Sequence, residues 1–174
     1  MCDNLTRENA IFVLNTIFAE IYASVEFYNE YLLTLKGKNV EEYTDDRWIR
    51  MNITLSFTVL GCNKIIEFNK KYNRLMNELI PEFNENRKNL ITGINNRKIP
   101  SFRNDIVGHI HCQRLKRPLN TKEYQARISE LTGGTSDIDE FFNWLRPIDP
   151  KHMSQQYSVC GEIKEMREAL EPVI

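Results

Sequence analysis

Ile11, Leu14, Phe18, Ile21, Val25, Tyr28, Leu32 and Leu35 recur at alternating intervals of three and four residues. An α-helix turns once every 3.6 residues, so this spacing gathers all eight on one face, whereas a strand would scatter them over two. The seam lasts about seven turns. A stripe of that length is buried only by other helices packed lengthwise against it. Gly37 follows it, in the role of a C-terminal cap.

The rest of the chain agrees with a helical bundle. Glycine and proline are scarce, at 7 and 6 of 174 residues, and no strand-like alternation or internal repeat is present. Thr44 or Asp45 can cap a second long helix, with acids in its first turn. Its inner stripe is Leu55, Val59, Cys62 and Ile66, extended by Met76 and Leu79 up to Pro81. Gly61 inside that stripe points to a close helix approach. Pro81 opens a shorter helical segment to about Ile94. Pro100 disfavours helical geometry at Ile99 and suits the first turn of a helix over 100–112. Helices near 121–131, 137–145 and 151–170 complete the expected fold. It is an all-α bundle with two long antiparallel helices as its spine, one domain over 1–174 with its core at about 9–145.

The formal net charge is -1, which excludes a polycation and confines any nucleic-acid binding to a local patch. Such a patch exists. Between Arg97 and Lys122 there are seven Lys/Arg, at 97, 98, 103, 114, 116, 117 and 122, against one acid, Asp105. From Ser136 onward the balance reverses. Cys2, Cys62, Cys112 and Cys160 form no C-x-x-C pair and read as reduced, mostly buried thiols. The first residues, MCDNLTREN, lack the charged and apolar regions of a leader, and no run reads as a membrane span. The expected location is the cytoplasm.

The basic segment encloses two of the three histidines, in SFRNDIVGHIHCQRLKRPL. Arg103, Asn104 and His109 together suit chemistry on a phosphodiester. An imidazole exchanges protons near neutral pH, a guanidinium holds phosphate oxygens and their transition-state charge, and an amide orients either group. In RNA the 2'-OH is an internal nucleophile, so neither metal nor cofactor is expected. His111, Arg114, Lys116 and Arg117 are candidate contacts to the RNA backbone. HIHC does not suit zinc, because i and i+2 on a helix point to nearly opposite sides. A purely structural reading pairs Asp105 with His109 at i, i+4 and Arg103 with an acid on a neighbouring helix.

RNDIVGH resembles the R-[polar]-x-x-x-x-H signature of the HEPN superfamily, in which the motif follows two long helices of a compact bundle. Arg103, Asn104 and His109 match it residue by residue, and the layout resembles the family from about Asn9 to Leu145. The resemblance implies a homodimer whose two motifs face each other as a metal-independent endoribonuclease. It also implies a toxin or abortive-infection role, in some systems neutralised by an antitoxin such as a nucleotidyltransferase. The alternative is a HEPN-like module that binds a nucleotide or partner without cleaving. Several toxin members carry a tyrosine two residues after the histidine, where modification silences them. Here that position is His111, so that control is not expected.

Overall fold

The computed structural model describes residues 5–38, 44–107, 115–135, 137–147 and 157–171. Among them the protein is all-α. Seven α-helices run in the order α1 (Arg7–Thr34), α2 (Thr44–Leu79), α3 (Asn84–Asn96), α4 (Ile99–Phe102), α5 (Thr121–Leu131), α6 (Ile138–Leu145) and α7 (Val159–Leu170). A 3₁₀ turn, Pro81–Phe83, precedes α3, and a π-helical turn, Arg103–Val107, continues α4.

α1 opens with a capping box. The Asn9 N–H donates to Thr6 Oγ1 (3.2 Å) and the Thr6 N–H to Asn9 Oδ1 (3.3 Å), satisfying two donors that a helix start leaves unpaired. α1 and α2 lie antiparallel, as their cross-contacts show. Tyr28 accepts from Arg47 Nε (3.3 Å), the Ser24 carbonyl from Thr54 Oγ1 (3.0 Å), and Glu20 pairs with Lys64 (2.5 Å). The face of α1 that enters the core is Ala10, Leu14, Ile17, Ile21, Val25, Tyr28 and Tyr31. Ile11, Phe18 and Leu32 of the expected seam sit at its half-buried flank. On α2, Leu55, Val59, Cys62 and Met76 are buried as expected, while Ile66 and Leu79 pack at the edge and Ile65, Phe68 and Tyr72 go inside. By length and mean hydropathy (1.5 over its best 18 residues) α1 is apolar enough to cross a membrane, contrary to the sequence expectation. Here it is a core helix, packed on α2, α6 and α7.

Gly61 on α2 lies directly against Ile21 of α1. A Cβ built there would lie 2.5 Å from Ile21 Cγ1, and Ile21 is fully buried. Gly61→Ala is expected to force the helices apart and to cost about 1–3 kcal/mol. A lower urea midpoint at unchanged slope would report it, and an unchanged midpoint would mean the contact relaxes freely.

Two expectations are corrected. The break before α4 falls on Lys98, which adopts the left-handed region (φ 54°), and Ile99 is already helical with Pro100 beside it in the first turn. The expected straight helix over 100–112 is α-helical only to Phe102, because the π-helical turn follows at once. The last helix begins at Val159; the part of the expected helix at 151–156 lies outside the described residues. Cys62 and Cys160 are buried free thiols, and burial raises both, Cys160 to about 12. Neither is a nucleophile at neutral pH. Cys2, Cys112 and His152 lie outside the described residues.

Candidate functional site

The π-helical turn is built from the candidate motif itself, Arg103-Asn104-Asp105-Ile106-Val107. Ile106 and Val107 pack against the core and dock the turn, which rests on α2. Asp105 is held by Arg127 of α5 at 2.7 Å, both largely buried. Arg127 also binds Glu130 (2.8 Å), and the hydrogen bond to Glu130 is the main reason its pKa is raised. Asp105 is thus an anchor for the turn, tied to α5 across the bundle.

Arg103 is exposed. Its Nη1 donates to Asn104 Oδ1 at 3.0 Å, and among the described residues no carboxylate pairs with it. The turn winds i→i+5 over Arg103–Val107, so straight α-helical geometry does not hold across these residues. His109 itself lies outside the described residues, as do Gly108, His111 and Arg114.

The basic segment divides into free and committed cations. Lys116 is exposed in the left-handed region (φ 55°). Arg117 forms a two-pronged pair with Glu123 (2.9 and 2.7 Å) and donates to the Pro118 carbonyl (2.9 Å). Glu123 closes the capping box of α5 with Asn120, so Arg117 already serves that helix start. Arg97 lies over the Trp144 ring at 4.5 Å and donates to the Leu131 carbonyl (3.0 Å); burial lowers its pKa. Arg97 and Lys98 line an open groove of about 610 Å³ with Gly93, Glu130, Gly133 and Trp144. Phe141 and Phe142 are core residues. Among the described residues, no group of three or more His, Cys, Asp or Glu comes together to hold a metal ion.

The sequence reading missed a second polar constellation. Asn69, Asn73 and Asn77 recur every four residues on α2 and face Arg87 of α3. The spacing is visible in the chain, but their partner lies beyond the Pro81 break.

These features define a helical-bundle protein with an exposed arginine-amide pair on a π-helical turn. The fold is similar to that of integron cassette protein Vpc_cass2, from the mobile metagenome of V. paracholerae. The TM-score is 0.73 at 24% sequence identity, over 98% of this chain and 97% of that one. That likeness concerns the fold alone. No family model and no curated protein matches the sequence.

Proposed function

We propose that the protein is a HEPN-type endoribonuclease that acts as a homodimer in the cytoplasm, as a toxin or defence effector. The observation that carries this reading is the Arg103 guanidinium, exposed on a core-anchored π-helical turn and held by Asn104, with no acid among the described residues paired to it. A guanidinium that no described carboxylate engages keeps its planar fork of donors for a phosphate. π-helical turns also occur often at functional sites.

The reaction uses the RNA's own nucleophile. The 2'-oxygen forms a bond to the adjacent phosphorus, the bond to the 5'-oxygen breaks, and a 2',3'-cyclic phosphate remains. His109 takes the 2'-OH proton or supplies one to the leaving 5'-oxygen. Arg103 stabilises the extra charge of the phosphorane, and Asn104 fixes the guanidinium. His111, Arg114 and Lys116 hold the backbone; Arg117 contributes through its charge while remaining on Glu123. Two such basic surfaces repel, so a dimer needs apolar contacts nearby. Ile49, Ile53 and Phe57 recur every four residues along α2 and are exposed, and Ile53 and Phe57 share an apolar groove with exposed Phe27, which suits that role. An antitoxin such as a nucleotidyltransferase would act by covering this cleft.

Cleavage is expected to persist in excess chelator and to leave a 2',3'-cyclic phosphate. An RNA with a single 2'-deoxy sugar at the cut position is expected to resist. Chelator-sensitive cutting, or cutting of the deoxy substrate, would eliminate the mechanism. Tight RNA binding with no product at any enzyme concentration would favour the non-cleaving module.

A further inference from the structure

Arg87 is only 5% exposed, yet its charge is met by neutral groups. Nη1 donates to Asn69 Oδ1 (3.4 Å) and Asn73 Oδ1 (3.3 Å); Nη2 donates to Asn77 Oδ1 and to Asn84 Oδ1 (2.5 Å). Nε is buried without a hydrogen-bond partner among the described residues. Four amide oxygens satisfy the geometry of the two terminal nitrogens, but none supplies a negative charge. A buried guanidinium is ordinarily paired with a carboxylate, because an uncompensated charge away from water is costly.

The same residues line a cavity of about 470 Å³, with Lys88, Ile91 and Thr92. None of the described residues lining it is acidic. Lys88 meets Glu85 loosely, at 3.7 Å, and both are largely exposed. Because the asparagine oxygens turn to Arg87, their Nδ2 groups remain as donors, joined by the Lys88 ammonium and the Thr92 hydroxyl. The cavity thus combines an unneutralised cation, many N–H donors and one apolar wall at Ile91. It lies far from the motif. Asn52 accepts from Tyr124 of α5, the helix whose Arg127 holds Asp105, and Asn73 is about 30 Å further along α2.

We propose that the Asn69–Asn73–Asn77–Asn84–Arg87 cavity binds the phosphate group of a small phosphorylated molecule, which provides the counter-charge that none of the described residues supplies. A phosphate takes more donors than a carboxylate can, and the volume exceeds that of the phosphate alone, leaving room for an attached sugar-sized group against Ile91. The assignment is independent of the ribonuclease reading, since its test measures binding and not cleavage.

The probes are inorganic phosphate and ribose 5-phosphate, with acetate and chloride as controls at matched ionic strength, followed by thermal melting of the full chain. Arg87→Ala strips four amides of their donor and is expected to destabilise, so the test rests on Asn73→Asp and Lys88→Ala. Asn73 is exposed and Asp is nearly its isostere, but it places a carboxylate on the guanidinium. In the unsubstituted protein phosphate and ribose 5-phosphate should raise the melting midpoint saturably, and the probe that saturates at lower concentration names the source. In Asn73→Asp the ligand-free midpoint should rise and the phosphate-induced rise should vanish. Lys88→Ala should weaken binding about tenfold, the loss of one charge-assisted contact. No saturable rise in the unsubstituted protein, an equal rise with acetate, or an undiminished phosphate response in Asn73→Asp would each overturn the proposal.

Discussion

Replacing Arg103 by alanine is expected to lower RNA cleavage by about two to three orders of magnitude, the usual cost of removing one preorganised group that meets transition-state charge. The melting midpoint should stay nearly where it was. Arg103 is exposed and its one described hydrogen bond is to its own neighbour, Asn104, so little folded-state contact is lost. Arg103→Lys should recover only a small part, because an ammonium cannot reproduce the planar fork that Asn104 positions. His109→Ala should be as severe for cleavage, by the about 10²–10⁴-fold worth of a general acid or base. Mixing the two inactive chains gives a sharper result. A two-fold cleft that draws its arginine from one subunit and its histidine from the other recovers activity in the mixed dimer, which retains one of each. Full activity in Arg103→Ala would remove the guanidinium from the chemistry. A loss that tracked unfolding would make it a structural residue.

How much of this was legible beforehand depends on what each residue's role requires. Period and punctuation are local, so the spans of α1, α2, α5 and α6 follow from apolar spacing, Thr44, Pro81 and Asp137. The inner face of α1 was less well set, because apolar residues lie on both sides of the 3-4 stripe and spacing alone does not say which flank turns inward. Packing chose Ile17 and Tyr31 for the inside and left Ile11, Phe18 and Leu32 at the flank. The π-helical turn was not legible. A shift from i→i+4 to i→i+5 bonding leaves no mark in residue spacing, and here it is fixed by contacts made elsewhere, the Asp105–Arg127 pair and the docking of Ile106 and Val107. Charge counting located the basic segment but overstated its free cations, since Arg97 is spent on Trp144 and Arg117 on Glu123. The Arg87 cage was hidden for the opposite reason. Each asparagine is unremarkable alone, and only the turn at Pro81 brings α3 back along α2 to give them one guanidinium in common.

Arg146→Ala is expected to produce the largest loss of stability of any single replacement discussed. Arg146 caps the end of α6 with extended backbone and is 1% exposed. It forms an ion pair with Glu26 of α1, its Nη2 donates to Tyr22 Oη at 3.0 Å, and its guanidinium lies 4.1 Å over the Tyr22 ring. Truncation removes the counter-charge of Glu26, the donor to Tyr22 and the cation over the ring together, and leaves a void at the α1–α6 junction. Glu26 is 38% exposed and keeps access to water, so the cost rests on the buried void and the lost donor to Tyr22, about 2–5 kcal/mol, which for a chain of this size corresponds to a fall in the melting midpoint of roughly 4–20 °C. Arg146→Lys should recover little, since the flat stacking on Tyr22 is lost with the fork. The double replacement Arg146→Met with Glu26→Leu should recover most of it, because removing both charges leaves neither unpaired. A loss under about 1 kcal/mol for Arg146→Ala would mean that the junction closes over the void and that Tyr22 finds another partner. The contrast with Arg103 separates the two arginines by physics. The buried one, held by a carboxylate, governs whether the chain folds, so its replacement should leave cleavage per folded molecule unchanged. The exposed one, held among the described residues by an amide alone, should do the reverse.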